Sequence, residues 1–213
     1  MTLSSTVLFP QAMMPLFIFE PRYRQMLQEV LLGNRIFAVA ALDEESAGGD
    51  TEEPPHSIAG IGIVRACQKN PDGTANLILQ GLARVQFDSI VTEQPFRKAR
   101  IHQIASELGG NQQELDAIQP DIIALVKTQI RLGAAIPKEV VQFLSNMKDP
   151  EGMLDLAIFT LCSSSNLKQR LLETREIIYR YKLFKQFLLA EIAQLQIDRK
   201  LKGGLDEGEI GNN

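Results

Sequence analysis

Over the first 106 residues, short apolar runs and alternations of apolar with polar positions form the pattern typical of β-strands. Residues 70–73 (NPDG) are a turn signal, Gly60 and Gly62 suit a bulge or a tight corner, and Gly81 marks a break. We therefore predict a small closed or strongly curved sheet. Its predicted strands cover residues 7–9, 13–19, 35–42, 57–68, 75–82, 84–91 and 96–104.

One helix interrupts this pattern where the stretch LFPQAMMPLFIFEPRYRQML, residues 8–27, changes from apolar to charged. Pro21 suits the first helical position, because that position needs no backbone N–H and proline already has the helical φ. Apolar residues then recur at spacings of three and four up to Gly33, which is placed to end the helix. Glu20 suits the positive end of the helix dipole. Arg22 is expected to pair with a carboxylate or to cover apolar surface, and Tyr23 to pack with its hydroxyl hydrogen-bonded. We interpret the junction as structural rather than catalytic.

After residue 106 the apolar positions change to the period of helices. Asn111 and Glu114 form a capping-box pattern at the first helix start, and Pro120 is expected to break or kink that helix. Pro137 suits the first turn of a second helix. Two further helical patterns cover residues 150–162 and 166–201, and we interpret Asp155, set among apolar neighbours, as a partnered helix acid.

This change of period predicts an α+β protein made of two subdomains. We assign residues 1–106 to a β-barrel subdomain with one early helix and residues 107–200 to an α-helical bundle. The Gly-rich, acidic residues 201–213 are expected to form a flexible tail.

The composition is that of an ordinary globular domain, with 45% hydrophobic and 23% charged residues over 213 positions. No apolar run approaches the length of a membrane span, and the N-terminus lacks the pattern of a secretory signal. We expect a cytoplasmic protein without membrane association, in which Cys67 and Cys162 are reduced, packed thiols. The net charge of −4 argues against a protein whose main task is to bind phosphates.

The sequence contains no pattern that predicts catalysis. There is no phosphate-binding G-x-x-x-x-G-K-[ST] loop and no G-x-S-x-G elbow. His56 and His102 are the only histidines and no Cys/His cluster has metal-ligand spacing, so we predict no metal site, no cofactor and no catalytic residue. A small enzyme that uses Cys67 or Cys162 with a distant histidine is the last-ranked alternative.

Three motifs resemble the N-terminal, substrate-binding (LON) domain of ATP-dependent Lon proteases. The opening resembles the family pattern V-L-F-P-G-x-x-x-P-L-x-I-F-E-P-R-Y at twelve positions. The matching residues are Val7, Leu8, Phe9, Pro10, Pro15, Leu16, Ile18, Phe19, Glu20, Pro21, Arg22 and Tyr23. A later stretch is similar to the family's hairpin at Gly60, Asp72, Gly73, Gly81 and Arg84, and NLKQRLLET is similar to its K-Q-x-L-L-E element.

The resemblance implies a PUA-like, six-stranded β-barrel followed by a helical bundle, with Phe19, Glu20, Pro21, Arg22, Tyr23, Gly81 and Arg84 as structural motif residues. Gln11 stands where the family often has glycine, so the turn after Pro10 is expected to differ. The chain ends about where Lon would begin its ATPase module. The resemblance therefore implies a stand-alone member with homology to the peptidase S16 family but without an ATPase module, a Ser–Lys protease domain or enzyme activity.

The function implied by the resemblance is binding of protein or peptide segments, as a substrate-recognition or adaptor-like role in proteolysis or protein quality control. Met13 and Met14 are candidate adaptable contacts for such a ligand, or else ordinary core residues. The alternative is a PUA-like RNA-binding module, which requires a basic face with stacking aromatics. The acidic balance and the absence of tryptophan disfavour it. We expect a monomer or weak homo-oligomer.

Overall fold

A computed structural model describes residues 1–44, 46, 54–92 and 94–205. The described residues form six strands: β1 (Thr2–Leu3), β2 (Met13–Ile18), β3 (Ile36–Ala41), β4 (Ile58–Lys69), β5 (Ala75–Thr92) and β6 (Lys98–Gln103). They also form six helices: α1 (Pro21–Leu32), α2 (Gln112–Arg131), α3 (Lys138–Asn146), α4 (Pro150–Leu161), α5 (Ser165–Glu173) and α6 (Ile177–Leu205). The predicted α+β class, with an early helix and a helical second half, is confirmed.

The six strands form one sheet in the order β1-β3-β4-β5-β2, and β6 also pairs with β5. All of these pairs are antiparallel except that of β1 with β3. The first half of β5 pairs with β2 and its second half pairs with β6, so both strands lie along the same edge of β5.

The sheet is not closed, which corrects the predicted closed barrel. Among the described residues, no strand pair joins β2 or β6 back to β1 or β3, so the path ends at β1 and at β2. Gly81 also does not divide β5, because β4 pairs with β5 on both sides of Gly81. Register shifts in the pairing of β4 with β5 occur instead at Ile61/Gly62 and at Val64/Ala66.

Residues 7–9 were predicted as a strand, but they form a buried segment without strand pairing. This segment lies directly on the sheet: a Cβ added at Gly60 would come within 2.0 Å of the Leu8 carbonyl oxygen, and one at Gly81 within 1.9 Å of the Phe9 oxygen. The chain then turns at Gln11, whose φ of +66° is in the left-handed region that favours glycine. Gln11 donates its N–H to the Gly81 carbonyl at 3.0 Å.

The helices follow the predicted signals with three differences. Asn111 and Glu114 form the predicted capping box at the start of α2. That helix continues unbroken through Pro120, which is exposed, so the carbonyl without a helical partner can bond to water. Pro137 precedes α3 as its N-cap instead of opening it.

The single helix predicted over residues 166–201 is two helices, α5 and α6, because residues 174–176 leave the helical path. Glu107 donates its N–H to the Arg175 carbonyl at 3.1 Å.

The chain divides into two compact units. The first contains Met1–Glu107 and Asp155–Glu176, and the second contains Leu108–Leu154 and Ile177–Asn213. The first unit therefore contains the whole sheet, α1 and α5. In the second unit, α2 packs against α3 and α6. The domain boundaries that we proposed from the sequence assign residues 155–176 to the helical subdomain. These boundaries remain a proposal. Helix α6 extends to Leu205, and the rest of the predicted tail, residues 206–213, lies outside the described residues.

Candidate functional site

The outward face of β2 is an unusually apolar exposed strip. Met13, Phe17 and Phe19 are 49%, 53% and 58% exposed, and Pro15 lies exposed between them. These four residues are at alternate positions, so their side chains lie on one side of the strand and its extension. The rings of Phe17 and Phe19 stack with centroids 5.9 Å apart. We call Met13, Pro15, Phe17 and Phe19 the β2 surface.

A shallow depression of about 490 Å³ adjoins the β2 surface and continues over β4 and β5. The strand register explains why these side chains line the depression together. Pro15 and Ala66 both lie opposite Ile78. Phe17 and Gln68 both lie opposite Asn76. None of the lining residues is charged: they are Pro15, Leu16, Phe17, Ala66, Cys67, Gln68, Asn76, Leu77 and Ile78. The depression therefore suits apolar side chains and offers no ion pair to a ligand.

The strand β2 is also an edge of the sheet. Among the described residues it pairs only with β5, so its other side faces no strand. An edge strand can accept an extended peptide as an additional strand, although Pro15 has no N–H to donate to it. The arrangement thus combines an unpaired strand edge with exposed apolar side chains.

The two methionines proposed as contacts occupy different environments. Met13 lies on the β2 surface, whereas Met14 is 5% exposed and points into the core. Successive strand residues point to opposite faces, so the two cannot share one surface. Sequence reasoning did not identify Phe17 or Pro15 as contacts, because residues 13–19 form a continuous apolar run that does not show which side of the strand is exposed.

The Glu-Pro junction places its residues at the start of α1. Glu20 is the N-cap, and its carbonyl accepts the N–H groups of Tyr23 and Arg24. Arg22 donates to the Glu20 carboxylate at 2.8 Å, and its guanidinium lies 4.6 Å from the Tyr23 ring centroid. The buried Tyr23 hydroxyl donates to the Thr2 carbonyl at 3.0 Å and accepts the Thr2 N–H at 3.1 Å.

Arg84 lies in the core rather than at a surface. Its guanidinium donates to both carboxylate oxygens of Asp155, at 2.8 and 2.5 Å, and its Nε donates to the Leu172 carbonyl at 3.1 Å. Arg84 is 4% exposed and Asp155 1%. A buried ion pair that is satisfied in this way is a structural contact, and Asp155 has a partner, as the sequence analysis expected.

Phe19, which the sequence analysis proposes as a structural residue, is 58% exposed and belongs to the β2 surface. The family hairpin residues Asp72 and Gly73 lie in the β4–β5 turn, and Gly73 has a φ of +83°. Hydrogen bonds from Thr74 hold the pKa of Asp72 below its usual value. Asp72 stabilises the turn and has no contact that indicates chemistry.

The described residues contain no group of three or more histidine, cysteine or acidic side chains placed to hold a metal ion. His102 lies 2.7 Å from Asp88 and His56 lies 3.4 Å from Glu173. In the described part of the chain, no helix is both long and apolar enough to cross a membrane.

Comparison with known proteins gives a consistent result. The family model described as "ATP-dependent protease La (LON) substrate-binding domain" matches residues 1–190. The Lon protease of Desulfosudis oleivorans is 26% identical over 210 residues, which cover 97% of this chain and 25% of that protein. The Lon protease of Dictyoglomus thermophilum is 24% identical over 200 residues, 94% of this chain and 25% of that protein. The chain thus spans about a quarter of the length of these curated relatives.

Two solved structures have the same fold. The N-terminal domain of Mycobacterium avium complex Lon protease superposes with a TM-score of 0.66 at 14% identity, covering 91% of this chain and 96% of that chain. The Lon N-terminal domain protein from Xanthomonas campestris gives a TM-score of 0.59 at 13% identity, covering 86% and 94%.

Proposed function

This chain belongs to the LON substrate-binding domain family, and from that membership we propose that it binds extended, apolar segments of polypeptides on the β2 surface. The observation that supports this most strongly is the coincidence of the exposed Met13, Phe17 and Phe19 with an unpaired strand edge. Exposed apolar patches beside a depression are typical of protein interaction sites.

The proposed binding mode has two parts. The peptide backbone pairs with the free edge of β2, and alternate apolar side chains of the peptide pack against Phe17 and the rest of the β2 surface, next to the depression. Because the lining contains no charged residue, we expect binding in the micromolar range that changes little with salt. A flexible peptide loses conformational entropy when it binds, which limits the affinity of a single shallow site.

The wider role proposed here is recognition of protein substrates for proteolysis or quality control, by a cytoplasmic protein without catalytic activity of its own. The family's name and the Lon relatives support a substrate-binding role. The proposal includes an adaptor-like role and a monomeric or weakly homo-oligomeric state.

The test is fluorescence anisotropy with a labelled apolar peptide and a labelled oligouridylate, each at low and at moderate salt. We expect the peptide to bind at both salt concentrations, and Phe17→Asp to weaken it about tenfold or more. The matched control is Phe143→Asp, since Phe143 is 57% exposed but lies on α3. RNA binding that falls steeply with salt, without peptide binding, would favour the nucleic-acid alternative. Unchanged peptide binding by Phe17→Asp would reject the β2 surface.

A further inference from the structure

A groove of about 630 Å³ lies between α2 and α3 in the second unit. Each helix contributes one face to it, because the lining residues recur at helical spacings of three and four. Ala124, Lys127 and Arg131 lie on the α2 wall, and Lys138 and Val141 lie on the α3 wall. Most of the lining surface is apolar, since the long cationic side chains also present their aliphatic parts.

The charged side chains of the groove all have the same sign. Lys127, Arg131 and Lys138 are exposed, and none of the described residues that line the groove is acidic. Arg131 donates to the Thr128 hydroxyl at 2.9 Å, a neutral partner that leaves its charge uncompensated. Glu139 follows Lys138 on α3 but is not among the lining residues. In a chain with a net charge of −4, this groove is therefore a local positive surface.

The position of Lys138 is not explained by its own helix. Lys127 and Arg131 lie near the C-terminal end of α2, where cations interact favourably with the helix dipole. Lys138 is the first residue of α3, at the positive end of the dipole, where a cation is unfavourable. A residue that opposes the preference of its own helix is typical of a functional position.

The helical walls determine which kind of polypeptide fits. Backbone groups inside α2 and α3 bond within their own helices, so the walls offer no strand edge to an extended peptide. A bound segment that is itself helical needs no such edge, because its backbone groups bond to one another. From Ala124 to Arg131 the groove extends about 10 Å, or about two turns of a bound helix.

We propose that this groove binds an acidic amphipathic helix of a partner protein. The apolar side chains of that helix pack on Ala124 and Val141, and its carboxylates pair with Lys127, Arg131 and Lys138. Nucleic acid fits less well, because no described lining residue is aromatic and none can stack on a base. The β2 surface belongs to the other unit, and this proposal does not depend on it.

Fluorescence anisotropy with three labelled probes tests the proposal. The first is a helical peptide with leucines at spacings of three and four and glutamates between them. The second has lysine in place of every glutamate, and the third is an oligouridylate. We expect only the glutamate peptide to bind, with an affinity that falls several-fold from low to moderate salt, because the cations are exposed. Absence of glutamate-peptide binding, equal binding of the lysine peptide, or binding of the oligouridylate alone would overturn the proposal.

Charge reversal tests the cations. The double variant Lys127→Glu with Lys138→Glu should weaken glutamate-peptide binding about tenfold or more. The matched control is Lys148→Glu with Lys200→Glu, which changes the net charge equally at two exposed lysines of the same unit outside the groove. The control should change binding less than about twofold. Equal weakening by both double variants would show that only the overall charge matters, and would overturn the proposal.

A filling variant tests the groove itself. Ala124→Arg adds a positive charge but occupies the space between the helices, so it should weaken binding about tenfold. Ala117→Arg, the same change at an exposed position of α2 outside the groove, should not weaken it. Arginine is a good helix former and both positions are exposed, so we expect both variants to fold, which circular dichroism verifies. Unchanged or tighter binding by Ala124→Arg would reject the groove.

Two further measurements separate this proposal from other occupants and from the β2 surface. In sedimentation equilibrium we expect wild type and the Lys127→Glu, Lys138→Glu variant to have the same mass. A dimer that dissociates in the variant would show that a second copy occupies the groove, and would overturn the proposal. Phe17→Asp should bind the glutamate peptide like the wild type, so this proposal and the peptide proposal can fail separately. Loss of glutamate-peptide binding in Phe17→Asp would place that peptide on the β2 surface and reject the groove.

Discussion

At the scale of single residues, two glycines allow an irregular segment to lie against the sheet. Gly60 and Gly81 face the carbonyl oxygens of Leu8 and Phe9, and there is no room for a side chain at either position. Leu8 and Phe9 are fully buried, so the close approach also brings two large apolar side chains into the core. Gly81, one of the residues that resemble the family's hairpin, thus has a steric reason in this protein: it is required for backbone contact rather than for a break in β5.

We predict that Gly81→Ala lowers the free energy of unfolding by roughly 1–3 kcal/mol, because the added methyl group displaces backbone that has no free volume to enter. Urea denaturation followed by circular dichroism measures the change. Leu82→Ala is the control, since Leu82 is the next residue on the same strand and is 41% exposed. A Gly81→Ala protein as stable as the wild type would show that residues 7–9 do not pack on the sheet as described.

At the scale of elements, the Arg84–Asp155 pair connects β5 to α4 inside the first unit. Arg84 also donates to a carbonyl of α5, and its guanidinium lies 5.8 Å from the Phe9 ring centroid. One buried arginine therefore contacts two helices and the segment that lies on the sheet. Its charge is retained in the core because Asp155 and the Leu172 carbonyl replace the hydrogen bonds of water.

We predict that Asp155→Ala destabilises the protein by about 3–5 kcal/mol, since it leaves a buried guanidinium without its counter-ion. Replacing both residues together, as Arg84→Met with Asp155→Leu, should recover much of this loss. The control is Glu29→Ala, which removes the exposed partner of Lys98 and should cost about 0–1 kcal/mol. Thermal denaturation of the four proteins gives the comparison. If the double variant is as unstable as Asp155→Ala, the cost does not come from the unpaired charge.

At the scale of the whole molecule, we expect a binding protein without catalysis. The purified chain should neither hydrolyse ATP nor degrade casein, because its sequence has no phosphate-binding loop and no nucleophile pattern. A full-length Lon protease in the same assays is the positive control. ATPase or peptidase activity that persists through repurification and disappears in a Cys162→Ser or Cys67→Ser variant would contradict this expectation.

The sequence by itself determined the features that depend on neighbouring residues. The start of α1 at Pro21 and the capping box of Asn111 and Glu114 lie where the sequence predicts them, because both depend on groups within one helical turn. The β2 strand was also predictable, since a short continuous apolar run before a helix start is a local signal. The α+β class followed from these periods together with the motifs of the family.

Only the tertiary structure decided the features that depend on residues distant in the chain. In the tertiary structure Met13 is exposed and Met14 is buried, and β5 continues past Gly81. Helix α5 ends before residues 174–176, where the Glu107 N–H donates to the Arg175 carbonyl. The tertiary structure also leaves the sheet open and brings three cations to one groove between α2 and α3. The physical reason is that burial, strand pairing and cavities depend on which segments pack together. Hydrophobic periodicity shows that a residue needs a partner, but it does not identify that partner.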